Sequence, residues 1–289
     1  MTPDAPQPMY RVRHHYRYVY TAPICNVRQR LVMIPPAHHA DQMVVSFDLA
    51  VRGTSGRLLI DWQTDQFGNR VCRVEAETVE HALDFEAWFS VCRGASVAEP
   101  TLTADEGRAY LSFTGLTAPD ERITDAARTI QAQTPRQREQ AELALQWAAS
   151  SIAYQVGVTS THTPAAMALH LGQGVCQDYA HIMLSLLRVI GIPARYVSGH
   201  LLGEGAPHAW VEVLLYDPER NGFELLAYDP THRRVTNLSY ITVAVGRDFA
   251  DVSGTSGVFS GAALGKLHWT KHAERIEPAT SQEASEVAA

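Results

Sequence analysis

The most informative segment of the chain is GQGVCQDYAHIMLSLLRVIGIPARYVSGHL, residues 172–201. It opens as a glycine-rich loop, and its apolar side chains then recur at helical spacing over residues 177–190. Gly191 and Pro193 follow, which predicts that the helix ends there and that the chain turns into a strand. Cys176 is therefore expected where a loop enters a helix.

A cysteine in that position is suited to act as a nucleophile. The first amides of a helix lack intrahelical acceptors, and the positive end of the helix dipole favours thiolate over thiol. The same amides can hold an oxyanion. The backbone N–H of Cys176 is thus the first candidate for stabilising a tetrahedral intermediate after attack on an acyl carbon.

Such a thiolate needs a general acid/base, and histidine serves both roles near neutral pH. His208 is the candidate because it opens a predicted strand, which would fix the imidazole. Asp229, at the end of the strand-like run 225–228, is the candidate for orienting that ring. The separations of 208 − 176 = 32 and 229 − 208 = 21 residues leave room for a helix and a strand, then a hairpin.

From the residues alone, other interpretations stay open. A GxGxC pattern also arises by accident, and an aspartate before a proline often only starts a turn. Cys25, Cys72 and Cys92 lie in or beside strand patterns and are interpreted as structural. Five histidines compete with His208 for the acid/base role: His162, His170, His181, His200 and His232.

The N-terminal part of the chain has the two-residue period of strands with one wet face. Between residues 10 and 20, the tyrosines share one parity with Val12 and His14, and the arginines take the other. Short β-rich runs separated by turn residues predict an antiparallel sandwich or barrel. Those runs are 27–34, 44–51, 58–63, 71–76 and 83–91.

Around residues 96–120 this pattern weakens, and helical periodicity replaces it. Helices are predicted over 141–152, 165–171 and 177–190, and strands return after residue 193. Helices followed by a sheet predict an α+β fold with an antiparallel sheet rather than an alternating βα fold. We divide the chain into an N-terminal β-rich domain (1–115), a second domain (116–275) and a disordered tail (276–289).

Composition limits the classes of function. The 289 residues, 46% of them hydrophobic, can supply buried cores. The formal charge of 24 − 31 = −7, without a basic stripe, gives no reason to expect nucleic acid or an anionic membrane as a partner. No secretory pattern opens the chain and no apolar run approaches the ~20 residues that span a bilayer. Four cysteines without CxxC pairs fit a reducing compartment, so we expect the cytoplasm.

Three ordered blocks carry a family resemblance: residues 174–201, then HAWVEV (208–213), then YDPTH (228–232). In their order and spacing, these blocks resemble those of the transglutaminase-like superfamily. The resemblance extends over roughly residues 137–261. GRDFADV (246–252) and the β-rich N-terminal region resemble its bacterial cysteine-protease branch. The resemblance implies a papain-like core in which Cys176 is the nucleophile, His208 the acid/base and Asp229 the orienting carboxylate.

The resemblance also implies an enzyme that acts on peptide or protein amides by acyl transfer through a thioester. An amine as the second nucleophile would make the enzyme a transglutaminase, and water would make it a peptidase. With no HExxH motif and no DxDxDG calcium loop, we expect neither a metal nor a cofactor. Gln173 and Tyr154 are candidates for the second oxyanion donor, between which the sequence does not choose.

Two alternatives to this function remain. A small-peptide amidohydrolase would need a deeper, more closed cleft, and a non-catalytic protein-binding module would need no working triad. The sequence leaves the substrate and the oligomeric state open.

Overall fold

The computed structural model of the chain describes residues 7–94, 102–219 and 222–277. The N-terminal strands follow the alternation expected from the sequence. In β1 (Met9–Tyr20), Val12, His14 and Tyr16 are buried, whereas Arg11 and Arg13 face solvent. The predicted N-terminal strands are confirmed, and the further elements are β2 (Ile24–Leu31), β3 (His38–His39), β4 (Gln42–Arg52), β5 (Ser55–Thr64), β6 (Arg70–Val79) and β7 (Ala82–Arg93).

These strands form two antiparallel sheets that are completed from the other end of the chain. The late strands β15 (Thr255–Ser260) and β16 (Gly265–Ile276) give the strand orders β16-β1-β7-β4-β3 and β15-β2-β6-β5. Side chains from both sheets bury a common apolar cluster that includes Phe85, Phe89 and Val74. The sandwich predicted from the sequence is therefore present.

The predicted extent of the second domain, 116–275, needs a correction at its C-terminal end. β16 pairs with β1 along its whole length, from Met9 opposite Ile276 to Tyr20 opposite Gly265, and β15 pairs with β2. These two strands thus belong to the N-terminal sheets. The division after residue 115 stays a prediction. From residue 278 onward, the predicted tail lies outside the described residues.

The helices cluster in the middle of the chain around one central helix. This is α5, in which every residue from Gln177 to Arg188 is buried, and Gly191 ends it at a φ of 92° that favours glycine. Within the described ranges, no helix is long and apolar enough to cross a membrane. The helices are α1 (Ala104–Ala109), α2 (Glu121–Gln133), α3 (Gln137–Ser151), α4 (Ala165–Leu171), α5 (Cys176–Ile190) and α6 (Phe249–Val252).

A five-stranded antiparallel sheet packs against α5, and together they bury an apolar cluster of helix and strand side chains. This confirms the α+β class. The sheet has the order β13-β12-β11-β10-β14 and consists of β10 (Ala194–Leu201), β11 (Pro207–Asp217), β12 (Gly222–Asp229), β13 (Arg234–Val235) and β14 (Tyr240–Gly246). A separate parallel pair consists of β8 (Ala153–Tyr154) and β9 (Gln173–Gly174).

The sandwich and the five-stranded sheet meet at the edge strand β14. The side-chain amide of Gln42 donates to the carbonyl of Thr242 at 2.8 Å and accepts from its N–H at 2.9 Å. Asn69 makes the same pair of bonds to Val245, at 2.7 and 2.8 Å. The two amides thus make, at Thr242 and Val245, the backbone hydrogen bonds that a neighbouring strand would make.

Candidate active site

Cys176 is the first residue of α5 and is half-buried. The preceding turn is held by Asp178, whose Oδ2 accepts from the N–H of Val175 at 2.8 Å and from the hydroxyl of Thr159 at 2.7 Å. A carboxylate in the first turn of a helix stabilises that turn. The cysteine therefore lies at a fixed helix N-terminus, as the sequence predicted.

The parallel pair β8–β9 places Tyr154 opposite Gly174, two residues before the cysteine. The N–H of Gln155 donates to the carbonyl of Gly174 at 2.8 Å, which continues this pairing. Burial raises the pKa of Tyr154, and the charges of Cys176 and Glu204 raise it further. Gln173 is exposed and, as the neighbour of Gly174 on the strand, points to the opposite side.

His208 and Asp229 come together from the adjacent strands β11 and β12. Nε2 of His208 lies 2.7 Å from Oδ2 of Asp229, and the two residues are only 3% and 0% exposed. Because Nε2 is bound to the carboxylate, Nδ1 is the nitrogen left for a thiol or a substrate. The two residues are therefore neighbours, as the sequence predicted, and their catalytic roles stay predictions.

Asp229 is hydrogen-bonded by more groups than the sequence indicated. Its Oδ2 also accepts from the hydroxyl of Tyr240 at 2.6 Å and lies 2.8 Å from Nδ1 of His232. Burial alone would raise the pKa of this carboxyl, but His208, Tyr240 and His232 hold it well below its usual range. Asp229 is thus a carboxylate at every physiological pH.

The same contacts set the charge of His208. Burial lowers the pKa of the imidazole, but hydrogen bonds to Asp229 and Cys176, and the negative charges of both groups, outweigh burial and raise it to about 10. An imidazolium beside a cysteine favours the thiolate. The site therefore holds a charged imidazole beside the Cys176 side chain.

Glu204 is a site residue that sequence reasoning missed. Its Oε2 lies 3.4 Å from Nδ1 of His208, and its Oε1 lies 2.8 Å from Nε2 of His232. It belongs to the loop before β11, where Gly203 has a φ of 89°. Its place four residues before His208 was the only available signal, because nothing in the loop's composition distinguishes a site carboxylate from a solvated one.

The competing histidines lie elsewhere, except His232. His200 and His14 are buried with their Nε2 atoms 2.7 Å apart, and burial lowers the pKa of His200 to about 3. His181 is buried within α5, where burial, together with the charge of Arg188, lowers its pKa to about 3. The rings of His200 and His181 are therefore neutral at pH 7.

The other two competitors, His162 and His170, are exposed side chains.

The remaining cysteines show no comparable surroundings. All four cysteines carry free thiols. Burial, with a smaller effect of Asp61, raises the pKa of Cys72 to about 12, and burial also raises the pKa of Cys92. Both thiols are thus held protonated. Cys25 is exposed on β2, in the sandwich rather than beside α5.

Two family models match the chain. The model of the transglutaminase-like superfamily core matches residues 124–230, which include Cys176, His208 and Asp229. The model of the bacterial transglutaminase-like N-terminal region matches residues 10–91, which cover β1 to β6 and nearly all of β7. The resemblance to the transglutaminase-like superfamily that was inferred from the sequence is therefore confirmed, for the core and for the N-terminal region.

Similar proteins cover the chain to different extents. The uncharacterized protein ML0607 of Mycobacterium leprae is 29% identical over 274 residues, which is 87% of this chain and 93% of the relative. The uncharacterized protein Rv2569c of Mycobacterium tuberculosis is 38% identical over 117 residues, 36% of this chain and 37% of the relative. The crystal structure of a suspected cysteine protease from Cytophaga hutchinsonii covers 96% of this chain and 93% of its own, with a TM-score of 0.75. At 18% identity, that likeness shows the fold alone.

Proposed function

We propose that the chain is a cysteine acyltransferase or peptidase that acts on peptide or protein amides through a thioester on Cys176. The observation that carries the proposal is the buried hydrogen bond of 2.7 Å between His208 and Asp229, beside a cysteine at a helix N-terminus. This arrangement supplies a nucleophile, an acid/base and an orienting group.

In the first half of the reaction, the thiolate of Cys176 attacks the amide carbonyl carbon. The carbonyl π bond breaks and its electron pair moves to oxygen. His208 then gives the proton on Nδ1 to the amine, the carbon–nitrogen bond breaks, and a thioester remains. Asp229 stays ionised throughout and stabilises the imidazolium.

In the second half, neutral His208 takes a proton from water or from an amine as that molecule attacks the thioester. The tetrahedral intermediate collapses, the carbon–sulfur bond breaks, and Cys176 leaves as thiolate. Water yields a carboxylic acid and an amine yields a new amide. Hydrolysis and transamidation therefore share every residue proposed here.

The oxyanion requires two donors, and we assign the first to the backbone N–H of Cys176, one of the first amides of α5. For the second we favour the hydroxyl of Tyr154 over the side chain of Gln173. Tyr154 lies opposite Gly174, two residues before Cys176, and its raised pKa keeps the hydroxyl protonated and able to donate.

Exposed side chains beside the nucleophile favour an extended peptide over a small enclosed substrate. Tyr154 is 56% exposed, Val156 66% and Val158 39%, and all three lie in the segment that follows α3. Apolar side chains around a reactive cysteine can bind the residues that flank a scissile amide. We propose a peptide or protein substrate and, from the four free thiols, a cytoplasmic location.

The direct test is turnover of a panel of glutamine-containing peptides, with ammonia release, amine incorporation and backbone cleavage measured in parallel. Cys176→Ala is expected to abolish every activity that the wild type shows while leaving the urea unfolding curve in place. Cys25→Ala, an exposed cysteine in the sandwich, is the matched control and should retain full turnover. Activity that persists in Cys176→Ala would contradict the proposal.

A further inference from the structure

Two imidazoles are oriented by one buried carboxylate in this site. Nε2 of His208 and Nδ1 of His232 lie 2.7 and 2.8 Å from the same Oδ2 of Asp229. Because an ionised carboxylate only accepts hydrogen bonds, each ring must carry a proton on the nitrogen that faces Asp229. When these rings are neutral, their outer nitrogens, Nδ1 of His208 and Nε2 of His232, present lone pairs.

Both outer nitrogens face a second carboxylate. Oε1 of Glu204 lies 2.8 Å from Nε2 of His232, and Oε2 lies 3.4 Å from Nδ1 of His208. Asp229 already orients His208, so the proposed acyl chemistry leaves Glu204 without a role. Glu204 thus contacts both imidazoles, whose ring centroids lie 5.2 Å apart.

This is the arrangement in which proteins hold metal ions. Metal-binding histidines almost always donate their second N–H to a carboxylate or carbonyl, which fixes the tautomer and the ring orientation. Zinc–nitrogen and zinc–oxygen bonds of about 2.0–2.2 Å place tetrahedral ligand atoms roughly 3.3–3.5 Å apart. The oxygens of Glu204 lie 2.8 and 3.4 Å from the two imidazole nitrogens, which is near that spacing.

We propose that Glu204, His208 and His232 form a zinc site of two imidazoles and one carboxylate at the mouth of the candidate active site. Glu204 and His232 have side chains 38% and 32% exposed, so an ion can enter from solvent. Glycines on both sides of Glu204 let its loop adjust around the ion. The sequence showed no zinc motif because His232 lies 24 residues after His208, outside the spacings of the common zinc motifs.

A zinc ion there displaces the proton on Nδ1 of His208 into solvent and occupies the nitrogen that the acyl chemistry needs. Zinc binding is therefore inhibitory, a consequence that rests on the proposed function, whereas the binding itself does not. The site gives the enzyme a reversible off state that is set by the free zinc concentration.

The test measures metal affinity directly on the purified, chelator-stripped protein, by competition for Zn²⁺ with a chromogenic chelator. Glu204→Gln and His232→Ala are expected to weaken zinc binding about 10-fold or more, because each removes one of three protein ligands. His272→Ala is the matched control, since His272 faces Glu274 at 3.7 Å on exposed β16, and its affinity should equal that of the wild type. Co²⁺ should give the visible absorption of a tetrahedral complex in the wild type and lose it in both site variants.

Equal zinc affinity in the wild type, Glu204→Gln and His232→Ala would overturn the site. Loss of affinity in both variants supports it, even if no amide is turned over by the wild type, in which case the proposed function fails and the metal site stands. If turnover is found, zinc should inhibit the wild type at concentrations about 10-fold or more below those that inhibit His232→Ala.

Discussion

At Asp229, five hydrogen-bond donors converge on one buried carboxylate: the His208 ring, the His232 ring, the Tyr240 hydroxyl and the backbone N–H groups of Thr231 and His232. Burying a charge without such partners would be costly. The cluster fixes the carboxylate, and the carboxylate in turn fixes the imidazole of His208. Residues that lie far apart in the chain thus fix the position of one atom, Nδ1 of His208.

Tyr240→Phe tests this cluster. The substitution removes the hydroxyl that donates to Asp229 at 2.6 Å, and a hydrogen bond to a charged group contributes about 1.5–3 kcal/mol, so the free energy of unfolding should fall by that amount. Urea denaturation at pH 7 measures it. Tyr20→Phe is the control, because the hydroxyl of Tyr20 is buried without a partner, and its loss should be neutral or stabilising. Equal effects of the two substitutions would contradict the assigned role.

Sequence reasoning selected Cys176, His208 and Asp229 as candidates, because each lies in a motif with local signals of a loop, a helix start or a strand end. It could not identify Tyr240 or Glu204. Tyr240 opens the apolar strand β14 and is indistinguishable from a core aromatic until β14 is placed beside β10. Such contacts depend on the packing of non-adjacent segments, which no local pattern records.

Among the elements, the turn from β9 into α5 decides where the nucleophile lies. A Cβ on Gly174 would come within 2.6 Å of Oδ2 of Asp178 and 2.8 Å of its Cγ. That carboxylate holds the N–H of Val175 and the hydroxyl of Thr159. Glycine is therefore required at 174 by close approach to the helix cap, not by its backbone angles.

Gly174→Ala is expected to displace the Asp178 carboxylate, to lower the free energy of unfolding by about 1–3 kcal/mol and to slow alkylation of Cys176. Urea denaturation and iodoacetamide kinetics measure the two effects. Gly115→Ala is the matched control, since a Cβ there meets nothing within 4 Å and the backbone needs no positive φ. If both variants behave alike, the close approach at Gly174 does not position the helix.

Helix existence was predictable from periodicity, but the start of one helix was not. Thr134 followed by Pro135 is a typical helix start, yet the N-cap of α3 is Arg136. Thr134 is the C-cap of α2, and its hydroxyl donates to Glu139. Capping signals of adjacent helices overlap when the connection is this short, so one threonine serves both ends.

For the whole molecule, a buried charge network joins the N-terminal region to the five-stranded sheet. Glu212 lies 2.6 Å from Nε of Arg195 and 2.8 Å from Nε2 of His39. Burial would raise the pKa of Glu212, but the charge of Arg195, the charge of His39 and the hydrogen bonds from both lower it to about 2. The network links β3 of the sandwich to β10 and β11, and its loss should weaken the whole molecule.

Glu212→Gln should lower the free energy of unfolding at pH 7 by about 3–5 kcal/mol, because it leaves Arg195 buried without its counter-ion. The pKa of Glu212 falls from 4.5 to about 2 on folding, so its contribution of about 3 kcal/mol is present above pH 4.5 and is lost as the pH falls toward 2. The difference between wild type and variant in urea denaturation should therefore shrink below pH 4.5.

Glu224→Gln supplies the control for this prediction. Glu224 pairs with Arg138 on the surface, where an ion pair contributes no more than about 1 kcal/mol. A loss at Glu212 no larger than the loss at Glu224 would contradict a stabilising role for the buried network.

At this scale the sequence predicted the order of the two regions but not the return of the chain to the first. The segments of β15 and β16 follow the core motifs directly, so they were assigned to the core. Their partners β2 and β1 lie more than 200 residues earlier. Strand pairing over such distances depends on which edges are left open by the completed sheets, which is a property of the whole fold.

The central claim is that His208 activates Cys176, and the most direct measurement is mass spectrometry after brief treatment with limiting iodoacetamide between pH 5 and 9. The account predicts that Cys176 reacts faster than the exposed Cys25 at pH 6–7, and that His208→Ala slows Cys176 to the rate of Cys25. If Cys176 reacts no faster than Cys25 in the wild type, or keeps its rate in His208→Ala, the claim is wrong.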